Sequence, residues 1–184
     1  MPKLYLALVH HPVVNKNGDV IAAAVTNLDL HDISRAAKTY GVKGFYVTTR
    51  LIDQISLTKR IIGHWTSGAG ADYNPARRSA LELIRIKKSL RDVVSHIGAQ
   101  EGVQPKTIAT SARKFDNAIG YEKMRGLINN GKPHLLVFGT AWGLAEETIR
   151  QADYVLEPVR GQTAYNHLSV RSASSIILDR LLGR

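Results

Sequence analysis

The chain has 184 residues, close to the size of one ordinary domain, and 44% of them are hydrophobic while 22% are charged. It contains no cysteine, which excludes thiolate nucleophiles, zinc ribbons and iron–sulfur centres and fits a reducing cytosol. The 25 Lys and Arg residues outnumber the 15 Asp and Glu residues, giving a net charge of +10 at pH 7. This surplus favours nucleic acid as a partner over an anionic membrane or a basic surface kept only for solubility, because each phosphate that a cation neutralises releases counterions.

Segments with strand and helix patterns alternate along the chain. The predicted strands are Leu4–Val9, Gly44–Thr49, Glu82–Lys87, Lys106–Thr110, His134–Phe138 and Tyr154–Leu156. The predicted helices are Asp29–Tyr40, Ile52–Trp65, Leu90–Gln100, Tyr121–Asn129, Leu144–Gln151 and His167–Leu182. This alternation with short connections predicts an α/β fold, a parallel sheet flanked by helices on both faces, as a single domain over residues 1–184.

Two segments between these elements have no regular pattern, namely His11–Val20 and Gly63–Arg78. Long loops of compact α/β domains are where substrate contacts tend to lie. The second segment contains Trp65, Arg77 and Arg78, and aromatic and basic side chains together can stack on an unpaired base and hold phosphates. An aromatic anchor that pins the loop to the core explains Trp65 equally well.

The apolar stretches of the chain are short. Leu4–Val9 is too short for the core of a signal peptide and is followed by His10, His11 and Pro12. No other stretch approaches the roughly 20 apolar residues that a membrane helix needs. We therefore expect a soluble, cytoplasmic protein with no membrane partner.

The last predicted helix carries a broad apolar face that includes Leu168, Ile177 and Leu181. A face of this width can bury against the sheet and also against a second subunit. Burial entirely within its own domain is the equal alternative.

Signatures of several enzyme classes are missing from the sequence. It has no Walker A motif, no G-x-G-x-x-G after a strand, no G-x-S-x-G and no H-E-x-x-H. His10 and His11 are the one adjacent histidine pair, and no carboxylate lies at a metal-ligand spacing from them. Hydrolase and metalloenzyme chemistry is therefore disfavoured, and we expect no metal.

Three polar loops that contain or adjoin glycine follow one another in the last third of the chain. Phe138–Leu144 follows the most apolar predicted strand, Leu156–Gly161 follows the next, and Gln162–Ser169 leads into the last helix. Glycine lets a backbone approach a ligand closely, and ligands bind at the carboxyl edge of parallel sheets. Any one loop is explained as an ordinary turn, whereas three in succession indicate a binding site.

At these residues the sequence resembles the SPOUT (α/β-knot) methyltransferases, in particular the branch related to RNA ribose 2′-O-methyltransferases. Arg35 and Gly41 match the first motif of that branch, with Asp29 at the position of an Asn. Phe138–Leu144 is similar to the second motif, although it is one residue shorter and lacks the usual Glu.

The third motif matches at Glu157–Gly161 and, after the usual gap, at Tyr165–Val170, where His167 replaces an Asn. The whole chain resembles still more closely a bacterial group of predicted SPOUT RNA methyltransferases. The stretches shared with that group are Ala24–Asp29 and Tyr165–Ala173.

The resemblance implies a C-terminal trefoil knot, a homodimer, S-adenosylmethionine (SAM) as the methyl donor and RNA (tRNA or rRNA) as the substrate. The residues expected to bind SAM are Phe138, Gly139, Thr140, Gly143, Glu157, Pro158, Val159, Gly161, Asn166, His167 and Leu168. Because Asp29 and His167 replace Asn residues, both a ribose 2′-hydroxyl and a base nitrogen stay open as the acceptor.

Methyl transfer requires mainly that a nucleophile be aligned and, where needed, lose a proton. The candidate catalytic residues are Arg35, His167 and Asn166, and the candidate RNA contacts are Arg35, Arg77, Arg78 and Arg171.

Each of these candidates also has a structural explanation. Arg35 can form an i, i+3 ion pair with Asp32 on a helix surface. Packing or helix capping explains His167 and Asn166 equally well, and Arg171 can simply be solvated.

Two other classes of protein stay open. One is an RNA-binding protein that keeps the knot fold but has no cofactor and no catalytic activity. The other is an α/β protein that binds NAD or another nucleotide, against which the missing glycine fingerprint counts.

Overall fold

The computed structural model describes residues 2–184. The strands are β1 Leu4–Val9, β2 Val13–Val14, β3 Val20–Ile21, β4 Phe45–Thr48, β5 Ile84–Lys87, β6 Lys106–Ala109, β7 Ala118–Ile119, β8 His134–Gly139 and β9 Tyr154–Leu156. The helices are α1 Asn27–Thr39, α2 Ile52–Thr66, α3 Ala69–Tyr73, α4 Pro75–Leu81, α5 Leu90–Glu101, α6 Tyr121–Ile128, α7 Glu146–Arg150 and α8 Val170–Leu182.

Seven strands form one sheet in the order β5-β4-β1-β8-β6-β9-β7, and every neighbouring pair is parallel. Strand β1 pairs along its whole length with the central strand β8, from Leu4 opposite His134 to Val9 opposite Gly139. β2 and β3 form a separate antiparallel hairpin. The predicted parallel sheet is therefore confirmed.

Helices cover both faces of this sheet. Leu6 and Leu8 of β1 join a core beneath α1, α4, α6 and α8, whereas Ala7 and Val9 join a second core beneath α5 and α7. Because both faces of β1 are buried, its sequence is a continuous apolar run and not an alternation of apolar and polar residues.

The segment Gly63–Arg78 is largely helical, so the prediction of an irregular loop there is wrong. α2 continues to Thr66, and the short helices α3 and α4 follow it. The start of α4 has a local cause, because the Asn74 side chain accepts a hydrogen bond from Arg77 N at 2.9 Å and Pro75 takes the first helical position. Asn and Pro thus start a helix here, where the sequence pattern indicated a loop.

The last helix begins three residues later than predicted. Ser169 is its N-cap and accepts a hydrogen bond from Ser172 N at 3.3 Å, and Val170 is the first helical residue. His167 therefore lies before the helix and not on it, and Asn166 does not cap it. The Ser169 hydroxyl provides the cap that was predicted for Asn166, because it accepts a hydrogen bond from a backbone N–H in the first turn of α8.

The segment His11–Val20 was also predicted as irregular, but it contains β2 and the start of β3. β2 and β3 are each two residues long, which is too short to give a periodic pattern. α7 begins at Glu146, two residues after its predicted start at Leu144.

The apolar face of α8 is buried within the chain itself. Ile177, Leu178 and Leu181 are at most 4% exposed and pack in the core with residues of α1 and α6. Leu168, which the pattern placed on the same face, precedes the helix and is 45% exposed. No helix within residues 2–184, α8 included, is long and apolar enough to cross a bilayer.

We expect the stability of the protein to fall between about pH 6.5 and pH 4 because of His10. This residue is fully buried after β1, and burial lowers the pKa of its imidazole from 6.5 to about 4, against the opposing effect of Asp29. Above pH 6.5 His10 is neutral in both states. As the pH falls, the unfolded state binds the proton first, so on the order of 2–3 kcal/mol of stability is lost by pH 4.5.

Urea unfolding of the wild type and of His10→Leu at pH 7.5 and pH 4.5 measures this effect. The substituted protein should lose less stability than the wild type over that interval. An equal loss in both proteins would show that other groups control the acid sensitivity.

Candidate active site

A cleft of about 710 Å³ lies at the carboxyl edge of the sheet, between the loops that follow β6 and β8 and the segment that leads into α8. A volume of this size is typical of small-molecule sites. The cleft brings together nine of the predicted site residues: Phe138, Gly139, Thr140, Gly143, Val159, Asn166, His167, Leu168 and Arg171.

The loop after β8 folds back sharply against β1. A Cβ atom on Gly139 would overlap the backbone nitrogen of Leu144, so only glycine fits there. Thr140 Oγ1 donates a hydrogen bond to Val9 O at 3.0 Å, which fixes the loop to β1. Gly143 has φ +111°, a conformation that favours glycine. Gly139 and Gly143, which were predicted to bind the cofactor, therefore also have a structural role, because they allow this turn to form.

The β2–β3 hairpin supports the same loop from outside. Val14 N donates to Gly143 O, and Trp142 N donates to Val14 O, both at 3.0 Å. Val13 also forms an isolated antiparallel bridge with Leu144. The segment His11–Val20, a predicted location for substrate contacts, thus braces one wall of the cleft.

The segment before α8 forms the opposite wall. Asn166 Nδ2 donates to Ala112 O at 3.0 Å, which ties this segment to the loop after β6. The exposed His167 ring lies edge-on to Trp142, with ring centroids 5.5 Å apart, and 6.2 Å from the ring of Tyr165. Trp142 and Tyr165 are 59% and 76% exposed. We call Trp142, His167 and Tyr165 the aromatic mouth of the cleft.

Arg171 connects α8 to α1 beside the cleft. Its guanidinium lies 3.3 Å from Asp29 Oδ1 and 3.5 Å from Asp32 Oδ2. The Asp29 side chain is 9% exposed and lines the cleft, and a carboxylate buried to this extent needs a cationic partner. Arg171 is therefore committed to an internal contact and is not simply solvated.

The other three predicted RNA contacts, Arg35, Arg77 and Arg78, lie on α1 and α4 outside the lining of the cleft. Arg77 stacks over the half-buried Trp65 ring at 4.4 Å, which supports the role of that ring as an anchor. Arg78 pairs with Glu82 at 3.0 Å. Arg35 is exposed and has no carboxylate within 4 Å in residues 2–184. The ion pair with Asp32 that was the alternative explanation for Arg35 therefore does not form.

Three residues predicted to bind the cofactor, Glu157, Pro158 and Gly161, do not line the cleft, although Val159 between them does. Glu157 Oε1 accepts a hydrogen bond from Tyr121 N at 3.4 Å. The Glu157 carboxylate therefore faces the first turn of α6, where a negative charge is favourable.

Two segments of the cleft were missed in the sequence. Thr110–Arg113 follows β6, and Ala23–Asp29 contributes four residues ahead of and within α1. β6 lies next to β8 in the sheet, although they are separated by a strand and a helix in the sequence. The polar residues of the loop after β6 are typical of a site. The sequence pattern does not give the order of the strands, however, so it could not place that loop beside Gly139.

The adjacent histidines do not form a metal site with other side chains. His11 Nε2 is 2.5 Å from Arg50 Nη2, and His10 is buried after β1. Over residues 2–184, no group of three or more His, Asp or Glu side chains is arranged to hold a metal ion.

Comparison with known proteins identifies the class to which this fold and cleft belong. Residues 3–183 match the sequence profile of a family described as SAM-dependent RNA methyltransferase. The chain belongs to that family.

One relative is a tRNA (guanine-N(1)-)-methyltransferase of Oleidesulfovibrio alaskensis, 46% identical over 180 residues. The match covers 98% of this chain but 42% of that protein, so the chain spans less than half the length of this relative.

Solved structures show the same fold at low sequence identity. The TrmH/SpoU tRNA modifying enzyme of Aquifex aeolicus has a TM-score of 0.59 at 16% identity, covering 99% of this chain and 75% of that one. An AdoMet-bound rRNA methyltransferase of Sinorhizobium meliloti has a TM-score of 0.56 at 20% identity, covering 97% and 55%. The predicted resemblance to SPOUT methyltransferases is confirmed.

We expect Gly139→Ala to lower the free energy of unfolding by about 1–3 kcal/mol, because the added methyl group meets backbone and not a movable side chain. Gly161→Ala is the matched control, since a Cβ there has nothing within 4 Å. Chemical denaturation of both variants measures the difference. Equal stability of the two variants would contradict the tight turn described above.

Proposed function

We propose that this chain transfers a methyl group from SAM to RNA and that SAM binds in the 710 Å³ cleft. The observation that carries the proposal is the convergence of the SPOUT motifs in space. Gly139 and Gly143 of the second motif, His167 of the third and Asp29 of the first line one cavity, in a chain that belongs to this family.

The residues of the cleft fit SAM chemically. The turn at Gly139 brings backbone close to the cavity, as contact with a planar base requires. Phe138, Leu168 and Ile177 supply apolar surface. The adenine of SAM has flat faces that pack against apolar side chains and a polar edge that bonds to backbone, so these features of the cleft are complementary to it. The AdoMet-bound rRNA methyltransferase of similar fold supports the assignment.

When bound, SAM supplies a methyl group already activated by its sulfonium. The protein must then orient the attacking atom and accept its proton where there is one. We assign the proton-accepting role to His167, whose imidazole lines the cleft and is exposed at its opening. Asn166 acts as a positioning residue, because its bond to Ala112 O fixes the backbone beside His167.

The aromatic mouth suits an unpaired nucleotide. Trp142 and Tyr165 are exposed and both lie beside His167, and exposed aromatic rings stack on bases that are not paired in a helix. A base held there would place its own atoms or its ribose near the imidazole. Both classes of acceptor, a base nitrogen and a ribose hydroxyl, are compatible with this arrangement.

We propose tRNA as the substrate class. The relative of 46% identity is named a tRNA methyltransferase, and the TrmH/SpoU neighbour is a tRNA modifying enzyme. The guanine-N(1) specificity in the relative's name is not carried over. More than half of that protein has no counterpart in this chain, and the name describes the whole of it.

We propose the trefoil knot of the SPOUT fold for the C-terminal segment. Its support is the path of the chain after β9, where Asn166 bonds to the loop after β6 and α8 then packs against α1, α6 and β8. The same contacts make one wall of the cleft.

We also propose that the protein is a homodimer. Leu28 on α1 and Leu168 before α8 are 58% and 45% exposed, and each lies within three residues of the Asp29–Arg171 ion pair. A second subunit that covered both side chains would remove their apolar surface from water, which favours association. A second subunit at this face is also a route by which Arg35, exposed on α1, could reach a bound substrate.

Isothermal titration with SAM and transfer of a labelled methyl group to bulk bacterial tRNA test the proposed activity. We expect saturable SAM binding by the wild type and by His167→Ala, with methyl transfer by His167→Ala reduced about 10²-fold or more. Lys123→Ala, an exposed substitution on α6 outside the cleft, is the control and should transfer at the wild-type rate. Absence of SAM binding by the wild type would refute the proposal, and RNA binding without SAM would favour a non-catalytic RNA-binding protein.

Sedimentation velocity tests the proposed dimer. Leu28→Asp should shift the protein from dimer to monomer, because burying an added carboxylate in an apolar contact is costly. The second position of α1 tolerates an acid in the monomer, since negative charge is favourable at a helix N-terminus. Val103→Asp, at a residue 47% exposed after α5, is the control and should remain dimeric. A wild type that sediments as a monomer would contradict the proposal.

A further inference from the structure

Most of the cations first assigned to RNA have partners inside the protein. Arg171 pairs with Asp29 and Asp32, Arg78 pairs with Glu82, and Arg77 stacks on Trp65. Other cations among those that give the net charge of +10 must therefore contact the RNA. The inference that follows rests on the proposed function and identifies the surface that the RNA strand would contact.

A second group of cations lies at the carboxyl ends of the strands. Because the sheet is entirely parallel, these ends share one edge. Arg50 follows β4, and Arg113 and Lys114 follow β6. Lys87 is the last residue of β5, and Lys88 comes directly after it. Within residues 2–184, none of the five has a carboxylate within 4 Å.

The opposite edge of the sheet is different. Lys3, before β1, lies 2.8 Å from Glu101, and Lys106, at the start of β6, lies 2.6 Å from Asp153. These cations are neutralised locally. Lys43 and Lys132, near the amino ends of β4 and β8, have no such partner within residues 2–184. All five cations named at the edge that contains the cleft lack a carboxylate partner in the same residues, whereas two at the opposite edge are neutralised, so the edge with the cleft attracts a polyanion more strongly.

A second cavity of about 490 Å³ lies on the same edge, at the end of β5. It is lined by Ile86, Lys87, Lys88, Asp92, Ser95 and His96, so two lysines face a single carboxylate. The ring of His96 is held by Tyr46, whose hydroxyl is 2.9 Å from His96 Nδ1. The cavity is open and cationic, as a site for a phosphate group requires.

Arg50 lies between the two cavities in the strand order β5-β4-β1-β8. Its Nη2 is 2.5 Å from His11 Nε2, at the end of β1. Burial, followed by the charge of Arg50, lowers the pKa of His11, so the imidazole remains a neutral acceptor and the guanidinium keeps its charge for another partner. Arg50, Lys87 and Lys88 therefore form a track of cations that leads from the cleft to the second cavity.

We propose that the RNA strand whose nucleotide enters the cleft runs along this edge, and that Arg50, Lys87 and Lys88 bind its phosphates. Three strand spacings of about 4.8 Å separate β5 from β8, or roughly 14 Å. A stacked strand advances about 3.4 Å per nucleotide. Lys87 and Lys88 would then hold a phosphate about four nucleotides from the acceptor.

The test compares two double variants that remove the same charge from opposite edges of the sheet. Lys87→Ala/Lys88→Ala removes two cations of the track. Lys43→Ala/Lys132→Ala removes two exposed cations near the amino ends of β4 and β8, neither of which has a carboxylate within 4 Å in residues 2–184. The affinity of each protein for fluorescein-labelled bulk bacterial tRNA is measured from 50 to 200 mM KCl, and SAM binding is measured by calorimetry.

We expect the first variant to bind tRNA at least tenfold more weakly, with the slope of log K against log salt reduced by about 1.5, as for two lost phosphate contacts. The control should change affinity less than twofold, and both should bind SAM as the wild type does. Equal weakening by the two variants, or wild-type affinity of the first, would overturn the proposed track. A wild type that binds SAM but no tRNA would instead overturn RNA as the substrate, and the track with it.

Discussion

The parallel pairing of β1 with β8 is the contact on which the rest of the site depends. It sets Val9 opposite Gly139, so both strands end at the same height on the same edge of the sheet. The Thr140 hydroxyl can then reach Val9 O, and the loop after β8 folds back with its glycines lining the cleft. A shift of this pairing by one residue would turn the apolar side chains of β1 to the wrong faces, so the two buried cores keep the cleft in register.

The same parallel arrangement separates the charges of the molecule. Each strand end at the carboxyl edge is followed by a loop, and several of these loops carry Lys or Arg without a nearby acid. At the amino edge, Glu101 neutralises Lys3 and Asp153 neutralises Lys106, whereas Lys43 and Lys132 have no such partner within residues 2–184. The cleft and several cations without a nearby acid therefore lie on one side of the sheet because of topology.

The departures from the SPOUT motifs become intelligible in the structure. Asp29, at the position of an Asn, is buried against Arg171, so the altered residue comes with a compensating cation on α8. His167, at the position of another Asn, lies beside two exposed aromatic rings, and the neighbouring Asn166 ties the wall to Ala112. These two substitutions therefore change polar groups that line the cleft and leave the turn at Gly139 and Gly143 intact.

The sequence alone determined the α/β class, the six main strands and the loops of the second and third motifs, because these depend on local patterns of apolar residues, glycine and helix caps. It did not determine that Thr110–Arg113 lies beside Gly139, since strand order is a matter of long-range packing. It also could not show which cations have partners. Arg171 and Asp29 are 142 positions apart in the sequence. Arg77 and Arg78 lie on α4, which the sequence pattern predicted as a loop. Only the tertiary structure decides which charges are neutralised inside the protein and which stay without a partner, because contacts such as Arg171–Asp29 and Lys3–Glu101 join residues that are far apart in the sequence.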